Sequence, residues 1–379
     1  MLKDKEVGLA LVGGGHAHLF VLEAMAQGRL TIPDTVLISP SRWQYYSGML
    51  PGLMAGHYTV EQCRIDLAQL ARRAGVRFIE QSVVSLNAAA QSLCLSGGES
   101  LEYALASLDI GSETDLGNLT DFQGRLLCVK PLDRFHADWL SFKERVGKRP
   151  GGRLVVAGAG AAGVELAMAA AYALAGPMAG SPVKLVASEK GVLPGFSAGV
   201  RKVVRRELTR MGVEIYSGGA EAQGNRIQVG RNTLLECDAL IAACGAKAPA
   251  WLQSSALALD PEGFIQVDAY HRSLSHPSLF AVGDIASRPS SRLMRSGVHS
   301  VRAGPVLVHN LAALVTGGRL KPFRPRAWVL YLISCGARHA VASWGPFVLS
   351  GGWVWRWKDR IDRRFIARFD YTHSEITEE

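Results

Sequence analysis

The sequence predicts an α/β chain built around two doubly wound, Rossmann-like units and closed by a short α+β tail. Two observations carry that prediction. A glycine-rich loop stands between an apolar strand and a helix at residues 7–26, and the same order returns at residues 151–176. Two more short apolar strands ending in glycine lie within 238–251 and 263–287, as the later strands of such sheets do.

VGLALV (7–12) is a short apolar run of the kind that fills a parallel strand covered on both faces. Gly13, Gly14 and Gly15 follow, and then LFVLEAMAQGRL, rich in helix formers and closing near Gly28. TVLISP supplies the next strand, so strand, loop, helix and strand complete a first unit. In the second copy GRLVVAG runs into Gly158, Gly160 and Gly163 and an alanine-rich helix, with VKLVAS (183–188) as its second strand. Glycines spaced as G-x-G-x-x-G let backbone amides close on a pyrophosphate at the positive end of a helix. The first copy departs at its third position, which holds His18. A ring there is expected to loosen the packing of helix on strand unless it points outward.

Beyond Gly317 and Gly318 the character changes. Residues 328–350 alternate like a hairpin. Trp353, Trp357, Ile361, Phe365 and Phe369 then recur every four residues, with Arg356, Lys358, Arg360, Arg363 and Arg364 between them. On a helix this is an aromatic stripe beside a basic face. It fits an interfacial anchor on a membrane, and it fits equally a stripe packed on the body of the protein with solvated arginines.

Lys and Arg outnumber Asp and Glu by 42 to 33, which favours anionic partners such as cofactor phosphates or lipid. No nucleic-acid motif accompanies the charge, so nucleic acid is not expected. Cys63, Cys94, Cys128, Cys237, Cys244 and Cys335 form no C-x-x-C or zinc-like spacing, and His16 with His18 has no accompanying ligand cluster. No metal site is expected, and the thiols read as reduced. No apolar run reaches the ~18 residues of a membrane span, and the N-terminus lacks the apolar length of a signal peptide. The expectation is a cytoplasmic protein, or one peripheral on the cytoplasmic membrane face through its tail.

FAVGDIAS carries a family resemblance. Gly283-Asp284 after an apolar strand resembles the A-x-G-D segment of the two-dinucleotide-binding-domain flavoproteins, the pyridine nucleotide-disulfide oxidoreductase superfamily. Residues 6 to about 318 follow that layout. The resemblance implies an FAD-binding domain in two parts, 1–118 and 256–318, split by an inserted NAD(P)H-binding domain at 119–255 and followed by the tail at 319–379. It places Gly13, Gly14, Gly15, His16, Ser39, Arg42, Val83, Gly111, Gly283, Asp284 and Val298 at FAD, and Gly158, Gly160, Gly163 and Gly245 at the nicotinamide nucleotide. It also implies Glu165 near the nicotinamide–flavin contact. Gly297 and His299 would lie at a helix start that stabilises charge on the reduced flavin. More narrowly, GGGHAH, SPSRWQYYSGMLPGLMAGHYT (39–59) and GVHSVRAG (297–304) resemble the module often fused ahead of selenide, water dikinase. That module is related to type II NADH dehydrogenases and sulfide:quinone oxidoreductases.

Some positions depart from the pattern. Acids usually end the second strand of each unit and hold the ribose. Here Ser39 with Arg42 behind it takes one place, and Ala187, followed by Ser188, Glu189 and Lys190, takes the other. NADH and NADPH therefore both stay open. Val298 and Arg302 stand where the type II dehydrogenases carry paired glutamines. No cysteine pair lies on either glycine-loop helix, and Cys128 and Cys335 read as small buried groups. The implied activity is an FAD-dependent NAD(P)H oxidoreductase that passes hydride from nicotinamide to flavin N5 and electrons onward. A quinone is the leading acceptor, and a selenium or sulfur species linked to selenophosphate synthesis is second. A low-turnover flavin- and nucleotide-binding redox partner module is the third reading, and a homodimer is compatible with each.

Overall fold

The computed structural model describes residues 6–148, 153–175, 183–289 and 295–371. Its first sheet runs in the order Arg77–Glu80, Thr35–Ser39, Glu6–Val12, Ser100–Leu108, then Ser92–Leu95 and Val83–Asn87. Ser100–Leu108 changes partners along its length. Its first residues pair antiparallel with Ser92–Cys94, and Ala106–Leu108 pair parallel with Leu279–Ala281. The central parallel strand Glu6–Val12 is buried along most of its length, and all five residues of Thr35–Ser39 are covered, whereas the edge strand Arg77–Glu80 is partly exposed. That burial is why they read as unbroken apolar runs.

The second sheet is wholly parallel: Arg125–Cys128, Ala239–Ala242, Leu154–Ala157, Val183–Ala187 and Glu214–Ser217. Three short antiparallel strands (Ala220–Gln223, Arg226–Val229, Thr233–Glu236) stand beside it. The chain passes between the sheets at Glu113–Thr114, which pairs antiparallel with Ala246–Lys247 on the way back. A fold of two α/β sheets joined by two crossing segments is the architecture the glycine loops predict.

The glycine-loop helices are His16–Ala26 and Ala161–Leu174. The first is covered almost all round, from Ala17 to Met25, because Gly297–Thr316 crosses it on the side away from the sheet. A Cβ on Gly304 would come within 2.4 Å of the Phe20 ring, so the two helices touch there through a glycine.

His18 neither points outward nor leaves the packing loose, the two outcomes expected of a ring at this position. The imidazole points in and is fully buried. Its Nδ1 lies 2.6 Å from the Gly13 carbonyl and its Nε2 2.8 Å from Ser107 Oγ. A carbonyl only accepts, so Nδ1 carries the proton and the Ser107 hydroxyl donates to Nε2. Burial holds the ring neutral, with its pKa down at about 4. The corresponding Gly163 has no such room, since a Cβ there would stand 1.8 Å from the Gly158 carbonyl. One copy thus closes its helix on its loop with a glycine and the other with a hydrogen-bonded ring.

The tail is a three-stranded antiparallel meander (Leu330–Ser334, Ala340–Trp344, Phe347–Gly351), one strand more than the hairpin expected. The helix Gly352–Phe369 lies on it. The aromatic stripe does not stay on one face. Trp353, Trp357 and Ile361 are exposed, whereas Phe365 stacks on Tyr46 with ring centroids 4.5 Å apart and Phe369 meets Phe20 at 5.3 Å. A strict four-residue repeat advances about 40° beyond a full turn at each step, so over four steps it walks to the other side of the helix. Lys358 also departs from the solvated basic face expected of it: it is buried, facing inward with Val354, Asp362, Ile366 and Phe369.

Candidate active site

Each sheet carries a cavity where the strand before its glycine loop turns into a helix. At the first, Glu6–Val12 ends at Gly13, whose φ is +90° and whose Cβ would meet the Asp109 carbonyl at 2.4 Å. Only glycine fits so close an approach in that backbone region. The cavity holds about 510 Å³ and is lined by Gly13, Gly14, Gly15, His16, Ser39, Val83, Gly111, Asp284 and Gly297 among the residues that sequence reasoning selects. His16 Nε2 is buried there with no hydrogen-bond partner. Burial brings the His16 pKa down to about 4, against the opposing pull of Asp284 and with the help of Lys130.

Four selected residues stand back from this cavity. Arg42 turns away and forks onto Asp66, Nε to the two carboxylate oxygens at 3.0 Å and Nη2 at 2.5 Å. Gly283, at φ +71°, packs against the Asp109 carboxylate and sets Asp284 at the cavity edge. Val298 and His299 begin the helix Gly297–Thr316 without lining the cavity. Burial lowers the His299 pKa, with the Arg302 and Arg288 charges adding to it. Ser296 precedes that helix in an extended conformation and makes no side-chain cap; its carbonyl accepts the His299 amide at 3.0 Å, and the Gly297 and Val298 amides take no backbone partner among the described residues.

The second cavity, about 570 Å³, is lined by Gly158, Gly160, Ser188, Gly191, Cys244 and Gly245 with their neighbours. Gly158 repeats the geometry of Gly13: φ is +104° and a Cβ would meet the Ala243 carbonyl at 2.2 Å. Gly163 lies beneath the loop as a packing residue. Ala187 is fully buried, and Ser188 presents the polar group at the strand end.

Consecutive residues of one crossing segment line both cavities. Glu113 and Thr114 face the first, and Asp115 and Leu116 face the second. Sequence reasoning did not mark this segment, because four residues between two strands carry no motif.

Glu165 lines neither cavity. Its carboxylate accepts the Ser334 amide at 2.8 Å, where the tail meander sits over the helix. Burial pushes its pKa up to about 7, against the pull of Lys358. Lys358 Nζ donates to Asp362 at 2.5 Å and to the Gly48 carbonyl at 2.6 Å, and Tyr46 hydrogen-bonds Asp362. Ser47, between Tyr46 and Gly48, lines the first cavity. Glu165 therefore belongs to a buried polar cluster joining the second unit, the tail and the wall of the first cavity.

Two further residues at the first cavity escape sequence reasoning. Lys130 reaches from the second unit to Ser112 Oγ at 2.9 Å and Asp284 at 3.3 Å. Asp109 lies beneath the loop, its carboxylate accepting the Ala17 amide at 2.8 Å and that of His18 at 3.3 Å. A charged residue at the end of an apolar strand, LDIG against AACG in the second copy, is the signal that marks it.

The fold and its paired cradles define a protein with two dinucleotide-binding units. Residues 8–304 match the family model described as pyridine nucleotide-disulphide oxidoreductase, and the chain belongs to that family. Its members work with FAD and NAD(P)H. Among curated relatives, dihydrolipoyl dehydrogenase of Pseudomonas aeruginosa is 33% identical over 156 residues, 38% of this chain and 32% of that one. An NADH dehydrogenase-like protein of Mycobacterium tuberculosis is 27% identical over 238 residues, 59% of each chain. The chain thus spans less than two thirds of the length of either relative. Among solved structures, the sulfide:quinone oxidoreductase of Aquifex aeolicus superposes with a TM-score of 0.78 at 14% identity, covering 98% of this chain and 94% of that one. NDH2 of Plasmodium falciparum gives 0.76 at 14% identity, covering 97% and 98%. At such identities the likeness is one of fold, and it includes the tail.

The first cavity fits FAD on its own geometry. Its loop leaves no room for a Cβ at Gly13 or Gly15, and the Gly14 and His16 amides take no partner from the described residues. Those amides and Lys130 would hold the phosphates, and Asp284 would meet hydroxyl groups of the chain linking them to the flavin ring.

Proposed function

We propose that this chain is an FAD-dependent NAD(P)H oxidoreductase that delivers electrons to a quinone at a membrane surface. The observation that carries the first half is the shared wall, where residues 113–116 border both cavities in succession. Two dinucleotides held at the two loops would bring their reactive ends towards that wall. FAD, when bound, supplies two-electron chemistry that no side chain possesses.

The protein's own part is to bind, orient and exclude water. The first-turn amides of Gly297–Thr316 offer a positive field where Gly297 meets the cavity. The Lys358–Asp362–Tyr46 cluster closes the wall behind Ser47 and excludes water there. No thiol relay is built in. All six cysteines are free, and burial pushes the Cys63 and Cys237 thiols up to about 12 and Cys244 up to about 11. An acceptor that takes electrons directly from the flavin is therefore favoured over a disulfide.

The tail supports a lipid-facing acceptor. Trp328, Trp344 and Phe347 form an exposed aromatic group with ring centroids 6.0–6.3 Å apart. Trp353, Trp357 and Ile361 are exposed on the adjoining helix beside the basic side chains of Arg356, Arg360 and Arg364. Aromatic and basic residues together suit the interface of an anionic membrane. The proposed location is peripheral on the cytoplasmic face. No reactive thiol or metal cluster among the described residues favours the selenium or sulfur reading.

Steady-state oxidation of NADH and NADPH by the FAD-loaded protein, with a soluble quinone present and absent, tests this. Many turnovers per flavin that depend on the quinone support the reading. A single reduction that stalls with quinone present contradicts it.

A further inference from the structure

The two glycine loops of this chain are an internal comparison. Gly13 N–H donates to Ile38 O and Gly158 N–H to Val186 O, at 2.8 and 2.9 Å. Asp109 N–H donates to Val12 O and Ala243 N–H to Ala157 O, both at 2.8 Å. Asp109 and Ala243 are therefore equivalent residues, each just past the strand that crosses beneath its loop. The second unit has a methyl group where the first has a carboxylate.

That carboxylate holds the positive end of the first helix. The Asp109 carbonyl takes the Gly15 amide at 3.1 Å, and its side chain takes the amides of Ala17 and His18. Gly14 and His16 alone keep amides turned to no protein acceptor in this loop. The charged and titratable groups around Asp109 are Asp284 from the facing turn, the rings of His16 and His18 from the helix, and Lys130 across Asp284. Both rings are held neutral, and Lys130 pairs with Asp284 rather than with Asp109, so among the described residues no cation offsets the Asp109 carboxylate itself when a second anion is brought to the same helix end.

We propose that Asp109 ties flavin binding in this chain to the uptake of one proton, because as a carboxylate it competes with the FAD pyrophosphate for the positive end of the first helix. The proton comes from solvent and goes to an Asp109 carboxylate oxygen as the cofactor seats. The proposal rests on the assignment of FAD to the first cavity. Burial, against the Ala17 and His18 amides and with the help of Asp284, already raises the Asp109 pKa to about 7 without a cofactor. A pyrophosphate raises it further, so affinity falls as pH rises above that value.

The test is the FAD dissociation constant of the full-length apoprotein, followed by quenching of flavin fluorescence from about pH 6 to about pH 9. The wild type is expected to weaken by about tenfold between pH 7 and 8.5. Asp109→Asn keeps an acceptor for the two amides and should show a flat profile, as should Asp109→Ala, which copies the second loop. Calorimetry of the wild type in two buffers of different ionisation heat needs no variant and should show close to one proton taken up near pH 8. NAD(P)H binding at the Ala243 loop should show none. A pH-independent FAD affinity with no proton uptake overturns the proposal and leaves the cofactor assignment standing. No FAD binding at any pH overturns both.

Discussion

Lys358 and Gly48 meet through a partly buried hydrogen bond of 2.6 Å, although 310 residues separate them. Through it the last helix grips the loop that walls the first cavity, and Asp362 on the same helix neutralises the charge. The tail is thus part of the site's frame.

Removing one partner of that pair leaves the other charge buried. Lys358→Met is expected to destabilise the protein by about 3–5 kcal/mol, read as a lowered urea midpoint. The double variant Lys358→Met/Asp362→Leu should recover much of the loss. Equal losses in the single and double variants would show that the pair is not a unit.

His18 sets a second test. Replacing it by glycine, the residue of the second loop, empties a packed site and strands Ser107. The expected cost is about 2–4 kcal/mol near pH 7. The neutral ring has a folded pKa of about 4 against 6.5 in the unfolded chain, so its contribution is present above 6.5 and is lost as pH falls. The gap between wild type and variant should therefore narrow by about 3 kcal/mol on going from pH 7 to pH 4. A gap that stays constant in thermal melts across that range contradicts the buried neutral ring.

Ala187 ends the second strand of the second unit, and Ser188 after it lines the second cavity where an acid usually stands. The wild type should use NADH and NADPH with kcat/KM values within about tenfold of each other, as the usual acid is missing from the strand end and Glu189 is followed by Lys190. Ser188→Asp should lower kcat/KM for NADPH by at least about tenfold and leave NADH little changed. An equal loss for both nucleotides would place Ser188 away from the ribose.

Trp353 and Trp357 are exposed and make no core contact of the kind Phe369 makes. Trp353→Ser/Trp357→Ser should leave the melting temperature nearly unchanged and reduce cosedimentation with anionic vesicles several-fold. Undiminished vesicle binding would remove this face from the membrane.

The two sheets and both glycine loops are legible in the sequence because unbroken apolar strands and G-x-G spacing are local signals. Gly13, Gly14, Gly15 and His16 line the first cavity at the loop those signals mark, and Asp284 lines it at the position taken from the family resemblance. The inward face of the last helix was not legible. Its aromatic repeat outshines Lys358 and Asp362, yet the repeat drifts round the helix and the polar pair is what packs. Glu165 sits two residues past Gly163 as the pattern requires, but the tail covers it, and tail docking has no local sequence signal. Asp109 was hidden for another reason: one residue in a strand end acquires meaning only when Ala243 is seen in the same place.

In the proposed reaction a nucleotide held in the second cavity reduces a flavin held in the first. Anaerobic stopped-flow mixing of the FAD-loaded protein with NADH, and separately with NADPH, follows the long-wavelength flavin band directly. Rapid and complete bleaching with at least one nucleotide, saturating with its concentration, is expected. An unchanged flavin spectrum under both nucleotides, with binding at the second loop confirmed by calorimetry, would contradict it.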